Sequence, residues 1–318
     1  MMDYAHLAAL SAVVRTGSFE KAAERLNVTP SAVSQRIKLL EERLGMVLVV
    51  RGQPCTATSA GQRLCRHFEE VGLLETTLAE DLGGSVPAGE PARLRIAVNA
   101  DSLATWFIDA MAGAGEGLLF DLVVDDEGHS AEWLRRGEVG AAVTANAGPV
   151  QGCSVRALGA LRYLAVASPG YVERWFPDGI AEDALRRAPC LVFNAKDELQ
   201  ARWVAGVTGR QIAMPGHWLP ATQAFVDASL AGLGWGMNPE ALVRRHIEEG
   251  RLVELLPGRS LDVPLHWQWS RSVEPVLKKM TAAVMTAAAR WLVEPGEAIR
   301  PAPPEGAERS KGRPRRAP

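Results

Sequence analysis

The sequence predicts an α/β protein with an all-α N-terminal part, and three observations carry that class. The first sixty or so residues place apolar side chains at helical spacing, broken by short links. After Pro91 the pattern changes to alternating short strands and helices, the grammar of a parallel sheet with covering helices. Between them lies one long helical stretch that ends in "GGSVPAGEP", a run of turn-forming residues. With 318 residues, 47% of them apolar, the chain is long enough for two or three domains with buried cores.

The opening "DYAHLAALSAVVRTG" sets Leu7, Leu10 and Val14 on one helical face and stops at Gly17. Ser18 is placed to cap "SFEKAAERLN", where small Ala22 and Ala23 admit a close neighbour. In "NVTPSAVSQRIKLLEERLG", Thr29 suits an N-cap. Pro30 suits the first helical position, where its missing N–H would have no partner anyway. Two short helices joined by the tight "LNVT" link form a helix-turn-helix, whose second helix enters the DNA major groove. "MVLVVRGQPCTATSAG" then alternates and turns like a small hairpin, a wing beside that helix.

The second helix sorts its residues into two stripes. Val33, Ile37, Leu40 and Leu44 form an apolar one; Ser31, Ser34, Gln35 and Lys38 form a polar one on roughly the opposite side. A solvated face usually carries Glu and Lys, whereas this one offers short hydroxyls, an amide and one cation. Gln pairs bidentately with adenine and Ser meets base edges or phosphates, while Lys38 and Arg51 of the wing would contact phosphate and fix register. The expected DNA-facing set is Thr29, Pro30, Ser31, Ser34, Gln35, Arg36, Lys38 and Arg51. Charge agrees: nine Lys/Arg stand against four acids between Arg15 and Arg66, in a chain whose net charge is −2.

From Ser59 to Leu82 the helix carries Leu64, Phe68, Val71, Leu74, Leu78 and Leu82 on a narrow seam. A lone helix cannot hide such a seam, so the expectation is the same helix of a second subunit, in a homodimer or homotetramer. Packing against its own chain is the alternative. Beyond Pro91, "LRIAVNA", "SLATWFIDAMAG", "FDLVVDDE", "SAEWLRRG" and "EVGAAVTA" read as βαβαβ, and a second run of the same kind follows. "VPLHWQWS" and an Ala-rich helix from Glu274 to Val293 return to the first lobe, so two lobes enclose a cleft. The expected units are 1–58, a winged helix-turn-helix; 59–90, a linker and dimerisation helix with a hinge; 91–293, two lobes; and 294–318, a disordered basic tail. Lobe one takes about 91–163 and 265–293, lobe two about 164–264.

Several chemistries are excluded. The glycines of "AGLGWGMN" end a helix and lead into a strand, the reverse of a dinucleotide fingerprint. There is no G-x-S-x-G elbow, H-E-x-x-H, P-loop or C-x-x-C, and the six histidines are scattered. Cys55, Cys65, Cys153 and Cys190 are too sparse for a disulfide framework or zinc site and read as inert thiols. The tryptophans read as core, with Trp106 a candidate for the cleft border. No apolar run approaches a membrane span and the N-terminus lacks a signal-like core, so the expectation is a cytoplasmic protein with no membrane partner, cofactor or metal.

"VVDDEG" and "NADS" each end a lobe-one strand, and ligands of open α/β sheets bind beyond such ends. Helix-start N–H groups suit a carboxylate and neighbouring acids suit a cation, together describing a zwitterion site with excess negative charge. The plain alternative is solvated loop residues or helix caps.

With these residues in view, the chain resembles the LysR-type transcriptional regulators. "SFEKAAERLNVTPSAVSQRIKLLEERLG" matches that family's DNA-binding signature, and the order of parts agrees over nearly the whole chain. "LAVNADSLATW", "WLRRGEVGAAV" and "LGALRYLAVAS" are similar to its arginine/lysine-responsive branch, known as ArgP or LysG. Two departures from the wider family favour that branch: Val50 before Arg51, and the lack in "GEVGAAV" of the acid that many LysR-type sequences place after the third lobe helix; the Arg-rich tail after Gly306 has no counterpart in it.

The resemblance implies a winged helix-turn-helix, a linker helix and a two-lobed effector domain like a periplasmic binding protein. It implies a regulator, not an enzyme, that senses lysine or arginine, binds an operator in double-stranded DNA, works with RNA polymerase and commonly activates export genes. The effector residues expected are Asn99, Asp101, Ser102, Asp125, Asp126 and Glu127, with Thr144, Asp197 and Thr222 added from lobe topology and the resemblance. A solute-binding receptor, or an α/β enzyme with an accessory DNA-binding domain, are the rival readings; the recognition helix and the missing catalytic set oppose them.

Overall fold

The computed structural model describes residues 3–81, 92–115, 118–125, 128 and 130–295. It opens with α1 (Tyr4–Thr16), α2 (Phe19–Arg25) and α3 (Pro30–Leu44), then a hairpin of β1 (Val49–Val50) and β2 (Thr56–Ala57), then α4 (Ser59–Asp81). The caps that the sequence offers are made. Asp3 accepts from Ala5 N, Ser18 from Lys21 N and Thr29 from Ala32 N, each cap stabilising its helix by about 1 kcal/mol. Gly17 and Gly45 close α1 and α3 in the left-handed region, where a β-carbon would be strained. Val33, Ile37 and Leu40 are buried against Leu7, Leu10 and Val13 of α1, each worth about 1.5–3 kcal/mol. Glu41 ties the wing to α3: its Oε1 accepts from Leu48 N at 2.8 Å and Val49 N at 3.3 Å.

The helix α4 is held by two separate cores. Leu64 and Phe68 pack on the helix-turn-helix core, and Leu73, just off the seam, is buried in the core of the following lobe. The first half of the seam is therefore covered by its own chain, as the alternative reading held. Leu74 and Leu78 remain 39% and 58% exposed. Leu82 and the hinge to 91 lie outside the described residues.

The first lobe follows as β3 (Ala92–Val98), α5 (Ala100–Thr105), α6 (Phe107–Gly113), β4 (Leu118–Val124), α7 (Ser130–Arg135) and β5 (Ala141–Thr144). The helix expected over "SLATWFIDAMAG" breaks in two at Trp106, whose N–H closes α5 on Ser102 O. The break turns Trp106 and Phe107 both inward, edge to face at 5.4 Å. Trp106 is fully buried and does not border the cleft, which corrects the expectation from sequence.

A fifteen-residue strand, β6 (Cys153–Ala167), then leads to α8 (Pro169–Trp175), α9 (Glu182–Leu185), β7 (Cys190–Val192), α10 (Leu199–Thr208), β8 (Gly216–Trp218), α11 (Thr222–Leu230), β9 (Gly236–Pro239), α12 (Glu240–Glu248) and β10 (Val253–Glu254). The chain returns along β11 (Leu261–Ser270) and ends in α13 (Glu274–Trp291) packed on α6.

The main sheet runs β4-β3-β5-β11-β6-β10, with β9 also paired to β6; β7 and β8 form a parallel pair. β3 is parallel to β4 and β5, while β11 is antiparallel to β5 and β6. His266–Trp269 of β11 pair with β5, while Leu261–Pro264 lie beside the half of β6 that carries β9. A register shift between Leu265 and His266 divides the two halves. Two strands thus run through both lobes, and the carboxyl ends of β3 and β4 face the space between them.

Candidate functional site

Two surfaces concentrate the chemistry. On α3 the apolar stripe is buried and leaves Ser31, Gln35 and Lys38 exposed, with Ser34 and Arg36 partly so. Thr29 and Pro30 are exposed at its start. Thr29 and Ser31 share a hydroxyl contact at 2.9 Å, and Lys38 reaches Glu42 at 3.6 Å, a solvated pair that phosphate can replace. Arg51 in the wing lies over the Phe19 ring at 5.3 Å, so α2 holds its guanidinium in place. The eight residues expected to face DNA therefore lie on or beside one helix, with the wing cation set by a neighbouring aromatic.

The second surface is a cavity of about 470 Å³ between the lobes. Asn99 and Asp101, at the end of β3 and start of α5, form one wall; Thr222 of α11 and Asn238 of β9 form another. Asp101 joins them. Its Oδ2 accepts from Tyr163 Oη at 2.7 Å, and its Oδ1 from Thr222 Oγ1 at 2.6 Å. Asp197 also lines the cavity, but its carboxylate accepts from Phe193 N at 2.8 Å and Leu199 N at 3.0 Å, which shapes the loop entering α10.

Other expected residues stand off the wall. Ser102, within α5, is fully buried, and Thr144 is fully buried with its hydroxyl accepting from Asn146 N at 3.1 Å. Asp125 lies at the edge, its Oδ2 accepting from Trp133 Nε1 at 2.9 Å and its Oδ1 facing Lys196 Nζ at 3.3 Å. Asp126 and Glu127 lie outside the described residues, although Gly128 of the same loop lines the cavity.

The sequence reading missed Tyr163, Phe193, Lys196, Glu198, Arg202 and Asn238. Paired strands, the loop before α10 and α10 itself bring them to the cavity or, for Tyr163, to Asp101, and no local spacing marks them.

The polar balance is informative. Asn99 Oδ1 and Asn238 Oδ1 are buried and have no hydrogen-bond partner among the described residues. One comes from each lobe, and both residues line the cavity. A buried acceptor without a donor costs about 1–3 kcal/mol, so a donor-rich ligand gains by entering. The thiols offer no chemistry: burial pushes Cys65 up to about 12 and Cys190 up to about 11, holding both protonated. Among the described residues no group of three or more His, Cys, Asp or Glu could hold a metal, and no helix is long and apolar enough to cross a membrane.

Comparison with known proteins covers the segments that carry both surfaces. Residues 4–62 match the model "Bacterial regulatory helix-turn-helix protein, lysR family", and residues 87–291 match "LysR substrate binding domain". The transcriptional regulator ArgP of Pseudomonas fluorescens (strain Pf0-1) is 45% identical over 301 residues, covering 92% of this chain and 99% of ArgP. The crystal structure of ArgP from Mycobacterium tuberculosis superposes with a TM-score of 0.76 at 45% identity, covering 93% of this chain and all of that one. Full-length LysG from Corynebacterium glutamicum with bound effector Arg gives 0.62 at 37% identity, covering 92% and 100%.

Proposed function

The chain belongs to the LysR family of bacterial transcriptional regulators, and from that premise we propose that its effector is lysine or arginine, held between the lobes. It is a DNA-binding regulator and not an enzyme, and it acts with a small-molecule effector and no catalytic cofactor. The observation that carries the effector reading is the pair of buried, unpartnered amide oxygens of Asn99 and Asn238 beside the Asp101 carboxylate. A site rich in acceptors suits the ammonium and guanidinium groups of a basic amino acid. Relatives named for lysine and arginine, one of them solved with Arg, support the same reading.

In this assignment the backbone amides at the start of α5, near Ser102, take the α-carboxylate. Asn99, Asp101 and Asn238 take ammonium protons, and the acids Asp125, Asp126 and Glu127 supply negative charge. Thr222 positions Asp101, Asp197 shapes the facing loop, and Thr144 supports the floor. Thr29, Pro30, Ser31, Ser34, Gln35, Arg36, Lys38 and Arg51 face the operator. The protein works in the cytoplasm as a homodimer or homotetramer joined through α4, engages RNA polymerase and controls genes for export or metabolism of its effector. The units 1–58, 59–90 and 91–293 carry DNA binding, dimerisation and sensing in turn.

Calorimetry with lysine, arginine and norleucine, paired with footprinting of the DNA upstream of the protein's own gene or a neighbouring gene, tests the reading. The expected result is binding of the basic amino acids, discrimination against norleucine and a protected operator. Equal binding of norleucine would remove the cationic effector while leaving the regulator in place.

A further inference from the structure

The cavity already holds a cation of the protein's own. Lys196 sits in the loop between β7 and α10 of the second lobe, and its side chain is on the cavity wall. Its Nζ lies 3.3 Å from Asp125 Oδ1, at the carboxyl end of β4 in the first lobe. Asp125 is not on that wall. Its side chain is 24% exposed against 48% for Lys196, and its second oxygen is fixed by Trp133 Nε1. The ammonium therefore spans the two lobes and covers an oriented carboxylate of the segment that the effector reading makes the cation end of the site.

We propose that Lys196 is a tethered stand-in for the effector's side chain, which an incoming lysine or arginine must displace from Asp125. The inference rests on the basic-amino-acid reading above. The tethered ammonium is chemically the same group that free lysine brings, so the two compete for one carboxylate. A tethered group competes at an effective concentration in the millimolar range, set by the short stem that carries it. Occupation by Lys196 has two consequences. It neutralises Asp125 before an effector arrives, so an uncharged amino acid gains nothing by reaching that carboxylate. It also sets a concentration threshold, because the effector gains only the difference between its own contact and the one it replaces. The lobes are meanwhile joined directly through Lys196–Asp125, and effector entry exchanges that tie for one through the ligand.

Calorimetry on the full-length protein tests this with wild type, Lys196→Met and Lys196→Gln, titrated with lysine, arginine and norleucine. Met keeps the length of the stem and removes the charge; Gln keeps a donor. Because the ion pair is partly exposed, its loss should tighten lysine and arginine by about two- to five-fold in both variants and leave norleucine unchanged. Weaker binding of all three amino acids would show that Lys196 holds the α-carboxylate, and would overturn the proposal. So would unchanged affinities, with the effector reading left standing. Failure of wild type and both variants to bind either basic amino acid would overturn the effector reading and this proposal with it.

Discussion

Thr222 of the second lobe donates to Asp101 of the first across 2.6 Å, so one carboxylate already closes a bridge over the cleft. The same carboxylate accepts from Tyr163 at 2.7 Å, on a strand common to both lobes. Asp101→Asn should therefore weaken lysine and arginine alike, by about 2–5 kcal/mol if it is a desolvated partner of the ligand. Operator binding without effector should survive. Calorimetry and gel-shift titration read the two effects separately, and unchanged affinity for both amino acids removes Asp101 from the site.

On the recognition helix, sequence reading and anchoring should separate. Gln35→Ala should cost about 1–3 kcal/mol on the operator alone and relax preference at one or two base pairs. Lys38→Ala should weaken all DNA binding and lower the salt slope by about one. Equal losses on operator and random DNA for Gln35→Ala contradict a base-reading role.

Leu74 and Leu78 are exposed in the single chain, while Leu64 and Phe68 are covered by it. Replacing Leu74 and Leu78 together by Glu should give monomers in sedimentation velocity and sharply lower operator affinity. The fold of each chain should persist, because neither side chain is in a core. A fully dimeric variant places the interface in the lobes.

Glu69 of α4 is held above its ordinary value of 4.5 by burial, against the pull of Arg15, Arg93 and Arg95 and with Asp121 adding to the rise. The folded protein thus keeps the Glu69 proton to higher pH than the unfolded chain does. Its contribution to stability is present below about 4.5 and is lost as pH rises through the folded value. Glu69→Gln keeps the shape without the charge, so it should melt higher than wild type at pH 7.5. The gap should narrow as pH falls toward 4.5. Thermal unfolding at both values checks the sign, and a variant that melts lower at pH 7.5 reverses it.

The helix-turn-helix was legible because its signals are local: a cap at Thr29, a proline at the first turn, a stripe from Val33 to Leu40 and a stop at Gly45. The end of β3 was legible for a similar reason, since Asn99 and Asp101 sit where a strand becomes a helix. Asn238 and Lys196, which line the cavity, and Tyr163, which holds Asp101 from behind it, were not, because strand pairing or a loop more than sixty residues from Asp101 brings each one there. Ser102 and Thr144 show what sequence position leaves open, which is burial. Both side chains are fully buried and neither lines the cavity, so at Ser102 only the backbone is offered to a ligand and Thr144 acts from behind the wall. The seam on α4 was read as one continuous surface, although tertiary packing divides it between the protein's own core and solvent.

That division bears on building hybrid sensors from this chain. Phe68 is anchored in one core and Leu73 in another, only about 7.5 Å further along the same helix. A splice before Phe68 gives the foreign DNA-reading half a plug shaped for another socket; a splice after Leu73 does the same to the sensing half. A junction between them leaves Phe68 with the DNA-reading core and Leu73 with the sensing core, provided the helix stays in register. The window for exchanging the halves is therefore Phe68 to Leu73, and hybrids spliced outside it should lose ligand response before they lose either half's own fold.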